Sequence, residues 1–250
     1  MRTLKSFAVS TLAGAATAAT LLFSSAAAAG PTQLGFILDR SGSIGSGNWS
    51  IIVNGLANAV NTLLPANGTY EVSVVTFASS ATANIQNFLV TDVASRTALA
   101  NQIAGLTFSG GGTNFSAAFS TMNTVLGNTI QNADKSYINF ATDGISSTDG
   151  KPARDAAIAM GVDNISIEGI GGGVDKTYLM NNICYPGPCD DTSPYNFPNQ
   201  GFYIGVADAQ AYAAAIGNKL RTVTGQIPEP ATLALTSLAL LGIGALRRKQ

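Results

Sequence analysis

The 250-residue chain has no histidine, two cysteines and one tryptophan, and only 11% of its residues are charged. Without imidazole there is no Ser-His or Cys-His nucleophile pair and no His-ligated zinc. Cys184 and Cys189 are too few for a four-thiolate metal site, but within "CYPGPC" they could form a disulfide staple in an oxidising compartment. The low charge, beside a hydrophobic content of 46%, excludes a disordered or nucleic-acid-binding chain. The formal net charge is -1, but the two ends distort it. Setting aside Arg2, Lys5, Arg247, Arg248, Lys249 and Glu229 leaves eight bases against thirteen acids, a body of net charge -5. An acidic body disfavours anionic membranes and phosphate backbones and mildly favours cations.

Both ends read as addresses. Residues 1–29 carry a basic start (Arg2, Lys5), the apolar stretch "FAVSTLAGAATAATLLF" and a small-residue cleavage region ending at Ala27 to Ala29. That is the pattern of a secretory signal peptide, so the chain is expected to be exported. At the other end, Pro228, Glu229 and Pro230 precede an apolar segment, Ala231 to Leu246, and then Arg247, Arg248 and Lys249. The segment is at the short edge for a membrane span, with its basic end expected in the cytoplasm. This layout over 228–250 resembles the PEP-CTERM sorting signal of exopolysaccharide-producing Gram-negative bacteria. The resemblance implies transient inner-membrane anchoring, recognition by an exosortase and removal of the tail. The body would then pass through the periplasm to the cell surface or extracellular matrix.

The body, residues 30–227, is sized for one domain. "QLGFILD" is an unbroken apolar run, as for a strand buried on both faces. Trp49, Ile52, Val53, Leu56, Val60, Leu63 and Leu64 recur at helical spacing up to Pro65. "TYEVSVVTFAS" and "TANIQNFLV" predict a strand hairpin, and "DVASRTALANQIAGL" a helix. A further helix starts at Phe115, "SYINFATDG" is a strand ending in Asp143, and Pro152 suits a helix's first turn. "NISIEGI" and "GFYIGVAD" are strands, "CYPGPCDDTSPYNFPNQ" an inserted loop, and "AQAYAAAIGNKLRTV" a closing helix. The alternation predicts an α/β fold: a doubly wound, mostly parallel central sheet flanked by helices.

Ligands of such sheets collect beyond the carboxyl ends of the strands. Asp39, Ser41 and Ser43 in "DRSGS", Thr113 in "GGGTNF" and Asp143 in "ATDG" all fall at that edge. The donors are all oxygens, which suits a hard divalent cation, Mg2+ first and Mn2+ or Ca2+ as alternatives. Asp-x-Ser-x-Ser alone also reads as an Asx turn capping the next helix. Thr113 and Asp143, in that order on those elements, favour the metal.

These five residues and the element order resemble the metal-ion-dependent adhesion site (MIDAS) and Rossmann-like fold of von Willebrand factor type A domains. The resemblance implies direct coordination by Ser41, Ser43 and Thr113, with Asp39 and Asp143 acting mainly through water. With Asp39 and Asp143 at the ion mainly through water, the cation is expected to attract an acidic partner group. The expected function is therefore an exported adhesion or interaction module, not an enzyme. Its partner would be a protein with an exposed Asp or Glu, or an acidic exopolysaccharide of a biofilm. The alternatives are a matrix protein whose metal only stiffens the fold, and a metal-dependent hydrolase.

Other signals read more plainly. Asp149 in the second "TDG" reads as a turn residue, since no strand leads into it. Gly42, Gly45 and Gly47 lack dinucleotide-motif spacing, and neither Gly110 to Gly112 nor "GGGVDK" has a P-loop ending. Tyr185, Tyr195, Phe197 and Tyr203 could stack on sugar, but packing beneath the inserted loop is the plainer reading. Catalysis would need a positioned base, and Glu71 and Glu168 lie on other strands, one of them expected at the surface.

Overall fold

The computed structural model describes residues 29–225. The leader, the Pro228–Glu229–Pro230 triplet and the apolar segment from Ala231 to Leu246 lie outside the described residues. Among the described residues, no helix is long and apolar enough to cross a membrane.

The elements are β1 (Thr32–Asp39), α1 (Gly45–Leu63), β2 (Tyr70–Phe77), β3 (Ala81–Leu89), α2 (Val93–Ala104), α3 (Phe115–Gly127), β4 (Lys135–Thr142), α4 (Lys151–Met160), β5 (Asn164–Ile170), α5 (Lys176–Tyr178), β6 (Tyr203–Val206) and α6 (Ala209–Val223). A short 3-10 turn, Ile130–Asn132, precedes β4. The six strands form one sheet in the order β3-β2-β1-β4-β5-β6. All neighbours are parallel except β2 and β3. This is the doubly wound α/β architecture the alternation predicts.

The sequence explains the boundaries. β1 and β2 are central and buried on both faces, β1 through the unbroken apolar run Leu34 to Leu38, whereas burial alternates along β3 at the edge. Leu64, forced out of the α region by Pro65, is extended and ends α1. Asp92 and Ser95 form a capping box at the start of α2, while Asn114 caps α3 and Asp208 caps α6. Gly161, at φ 117°, closes α4 in the left-handed conformation that glycine takes most easily.

Each sheet face has its own core. One packs Leu34, Phe36 and Leu38 against α1, α2 and α6, including Trp49, Leu56, Leu99, Tyr212 and Ile216. The other packs Ile37, Val75 and Phe77 against α3 and α4, with the Phe140 ring against those of Phe115 and Phe119. The sheet edge between these cores is where the polar loops emerge.

The turn at "GGGVDK" leads from β5 into a helix, a short one: α5 continues into a π turn, Leu179–Ile183, whose Leu179 and Ile183 are buried. One expectation is overturned. Neither Glu71 nor Glu168 is at the surface. Glu71 accepts hydrogen bonds from Gln33 (3.1 Å) and Thr129, and Glu168 lies 2.9 Å from Lys219 inside the domain. These partners stand far away in the chain, so an acid on a strand looks like a surface residue until the fold supplies them.

Candidate metal site

β1 and β4 are hydrogen-bonded neighbours, with Leu38 paired to Ala141, so their last residues emerge side by side. Asp39 ends β1, and Thr142 ends β4 one residue before Asp143. Across the pair, the Thr142 hydroxyl donates to Asp39 Oδ2 at 2.6 Å. The turn after β1 folds Ser41 back, and its backbone N–H donates to Asp39 Oδ1 at 2.8 Å. Ser41 Oγ and Ser43 Oγ lie 3.1 Å apart, and Ser43 Oγ donates to Asp143 Oδ1 at 2.8 Å. Thr113 reaches the same point: a Cβ placed on Gly144 would lie 3.5 Å from Thr113 Oγ1 and 3.7 Å from Ser43 Oγ. The five residues expected from the sequence are therefore brought together.

Backbone contacts lock the contributing loops. Gly42 N–H donates to Gly111 O at 2.8 Å, and Gly110 N–H to Arg40 O at 3.1 Å. Gly111 sits at φ 103°, a conformation other residues avoid, and a side chain there would press on Ser79 Oγ. Thr113 O accepts from Ser147 N–H (2.8 Å) and Ser147 Oγ (2.9 Å), which ties the second loop to the third. Arg40 points its guanidinium at Thr82 Oγ1 (3.0 Å) and the Thr107 carbonyl (3.3 Å), so it adds no cation to the cluster.

Burial sets the electrostatics. Asp39 is 2% exposed, and desolvation pushes its pKa up to about 6, against the opposing hydrogen bonds from Ser41 and Thr142. The charge of Asp143 adds to the rise. Asp143 is itself shifted upward by burial, opposed by the Ser43 hydroxyl. Two crowded carboxylates that resist ionisation are the environment a divalent cation relieves. No cluster of three or more His, Cys, Asp or Glu side chains occurs among the described residues, so hydroxyls must make up the rest of any donor set.

The sequence reading missed Thr142, Ser79 and Ser147, whose contributions are hydrogen bonds to the site. Only Thr142 carried a signal, through its place beside Asp143 in "ATDG". Asp149 is a turn residue: it accepts from Lys151 N–H (3.0 Å) and Tyr178 OH (2.7 Å) at the start of α4. The aromatic residues of the insertion pack inward. Tyr195 stacks on Phe202 at 4.5 Å, and Phe197 meets Tyr137 edge-on at 4.9 Å. Cys184 and Cys189 pair as a disulfide in the structure, with Cα atoms 6.1 Å apart.

The family model of the von Willebrand factor type A domain matches residues 33–209. The chain belongs to that family. A second model, the PEP-CTERM protein-sorting motif, matches residues 226–249. A search of curated proteins finds no match. Solved structures share the von Willebrand A fold at low identity. Proximal thread matrix protein 1 of the mussel byssus, with a zinc-occupied MIDAS motif, is 19% identical at TM-score 0.58. The match covers 78% of this chain and 46% of that one. Manganese-loaded TRAP protein of Plasmodium vivax is 22% identical at TM-score 0.53, over 74% and 72% of the two chains. The pilus adhesin SpaC of Lactobacillus rhamnosus GG is 14% identical at TM-score 0.58, over 78% and 31%. This von Willebrand A chain thus spans less than half the length of the mussel and pilus proteins it matches.

Proposed function

We propose that the chain is an exported adhesion module that holds a divalent cation, Mg2+ in the first instance, and uses it to bind an acidic group on a partner. The observation that carries this reading is the convergence of Asp39, Ser41, Ser43, Thr113 and Asp143 on one point of the sheet edge. Ser41, Ser43 and Thr113 would supply hydroxyl oxygens directly, and Asp39 and Asp143 would orient metal-bound water. Two carboxylates balance a divalent charge only formally, and hydrogen bonds already draw on both of them. The cation therefore keeps Lewis acidity for a carboxylate from outside. The partner is a protein with an exposed Asp or Glu, or an acidic exopolysaccharide.

Binding rather than turnover fits the surroundings. Glu71 and Glu168, the acids that could have served as bases, are engaged inside the domain. The site loops are also held by their own hydrogen bonds, so the cation is not needed to stiffen them. That favours a ligand-binding role over a matrix protein with a purely structural ion. In this reading the module comes to lie outside the inner membrane after exosortase processing, with residues 30–227 as the mature body and residues 1–29 removed at export; the match to the sorting motif supports it. The Cys184–Cys189 bond suits that oxidising setting.

The test is calorimetric titration of Mg2+ and Mn2+ into the protein and into the Asp39→Ala/Asp143→Ala variant. Saturable one-site binding that disappears in a folded variant supports the reading. A wild type that binds neither ion overturns it.

A further inference from the structure

Beneath α6, on the sheet face opposite α3 and α4, lies a polar cluster that the metal site does not use. Glu168 of β5 is fully buried, Lys219 of α6 is 3% exposed, and Asn139 of β4 is 7% exposed. Asn139 pairs in register with Ser166, two residues before Glu168, so the amide and the acid lie diagonally on one face of adjacent strands. Lys219 Nζ approaches Glu168 Oε1 at 2.9 Å. Asn139 and Lys219 also line one small cavity with Ser166 and Ile216. The surroundings are apolar, with Lys219 Nζ 5.1 Å above the Phe202 ring.

The arrangement is costly as it stands. Lys219 Nζ, both Glu168 oxygens, both polar atoms of the Asn139 amide and Tyr212 OH have no partner in hydrogen-bond geometry. Buried groups are rarely left so, and a cluster of them calls for an explanation, of which reactivity is one. We propose that the side chains of Lys219 and Asn139 become joined by an intramolecular amide bond, with Glu168 carrying the protons.

The chemistry needs no further reagent. Burial lowers the pKa of Lys219 and raises that of Glu168, in each case against the attraction of its partner, so it pushes both groups toward their neutral forms. A desolvated neutral lysine is a nucleophile. Its lone pair attacks Asn139 Cγ, and the C=O electron pair moves onto Oδ1, which Glu168 stabilises as a hydrogen-bond donor. Glu168 gives its proton to Nδ2 and takes in exchange the one released by Nζ. The intermediate collapses, the Cγ–Nδ2 bond breaks and ammonia leaves. The product is a secondary amide between Cγ and Nζ, with Glu168 again protonated. The link removes a buried charge and an unpartnered amide together, and it ties β4 to α6.

The test is peptide mapping of the folded protein after reduction and trypsin digestion, which does not depend on how the ends are processed. Cleavage at Lys219 should be blocked. Peptide 136–154 should then appear joined to peptide 177–221, lighter than the two together by one ammonia. Glu168→Gln, which keeps the shape but loses the proton carrier, should restore separate peptides, as should Asn139→Ala. Wild-type protein that is folded yet yields unlinked 136–154 and a free peptide ending at Lys219 overturns the proposal. That finding would leave the cluster as a buried ion pair. Failure here leaves the metal site untouched, because none of its residues takes part.

Discussion

Two polar clusters share this domain and obey opposite rules. At the sheet edge, Asp39, Ser41, Ser43, Thr142 and Asp143 hydrogen-bond to one another and to backbone amides, with Ser43 open to solvent. Under α6, Glu168, Lys219 and Asn139 crowd together without satisfying one another. The edge cluster is held by its own network, so the proposed cation would not be needed to build the loops. The interior cluster instead fastens the fold, and α6 depends on it. Substitutions at the edge should therefore act mainly on binding, and substitutions under α6 mainly on stability.

The largest effect expected is on the interior side. Lys219→Ala removes the link to Asn139 and leaves Glu168 buried without a partner, and should cost about 3–5 kcal/mol of unfolding free energy. Denaturant unfolding measures that cost, and Mg2+ affinity of the folded fraction should stay within about twofold. A variant that keeps its stability, or loses Mg2+ along with it, would erase the contrast.

A second effect appears in the pH dependence of the edge. The folded pKa of Asp39, about 6, lies above the ordinary carboxylate value of 3.8, so the folded state holds this proton more tightly than the unfolded one. In chelator, this group's contribution to stability is greatest below pH 3.8 and declines as the pH rises from there through about 6. Metal binding requires the proton to leave, so affinity should fall by about tenfold per unit below pH 6. Melting curves with and without Mg2+ across this window should diverge as pH rises.

The smallest effect sharpens the picture further. Thr142→Val removes the 2.6 Å hydrogen bond to Asp39 and should cost about 1 kcal/mol. It should also move the pH limb of metal binding upward, since that hydroxyl helps hold the carboxylate ionised. An unmoved limb would mean that Thr142 only packs.

Much of this was legible beforehand, for identifiable reasons. β1 announces itself because Leu34 to Leu38, covered on both faces, run apolar without a break. The residues of the proposed metal site could be picked out as a cluster because carboxylates and hydroxyls stand just past such runs, where exposed loops must begin. The interior cluster was invisible for the converse reason. Glu168 and Lys219 are 51 residues apart and each, taken alone, looks like an ordinary charged residue; only the seating of α6 on β5 pairs them. The π turn after α5 was hidden because five residues are too few to show a period.

The direction of α6 has a mechanical consequence. It starts just after β6, at the edge where Asp39 and Asp143 lie, and runs back so that Val223 meets Leu34 and Tyr137 near the opposite ends of their strands. The proposed binding site and Gly225 are therefore at opposite poles of the sheet. A pull between them is carried through α6, which side-chain packing and the Lys219 cluster hold to α1 and the sheet, so that this packing takes the load before the strand ladders do.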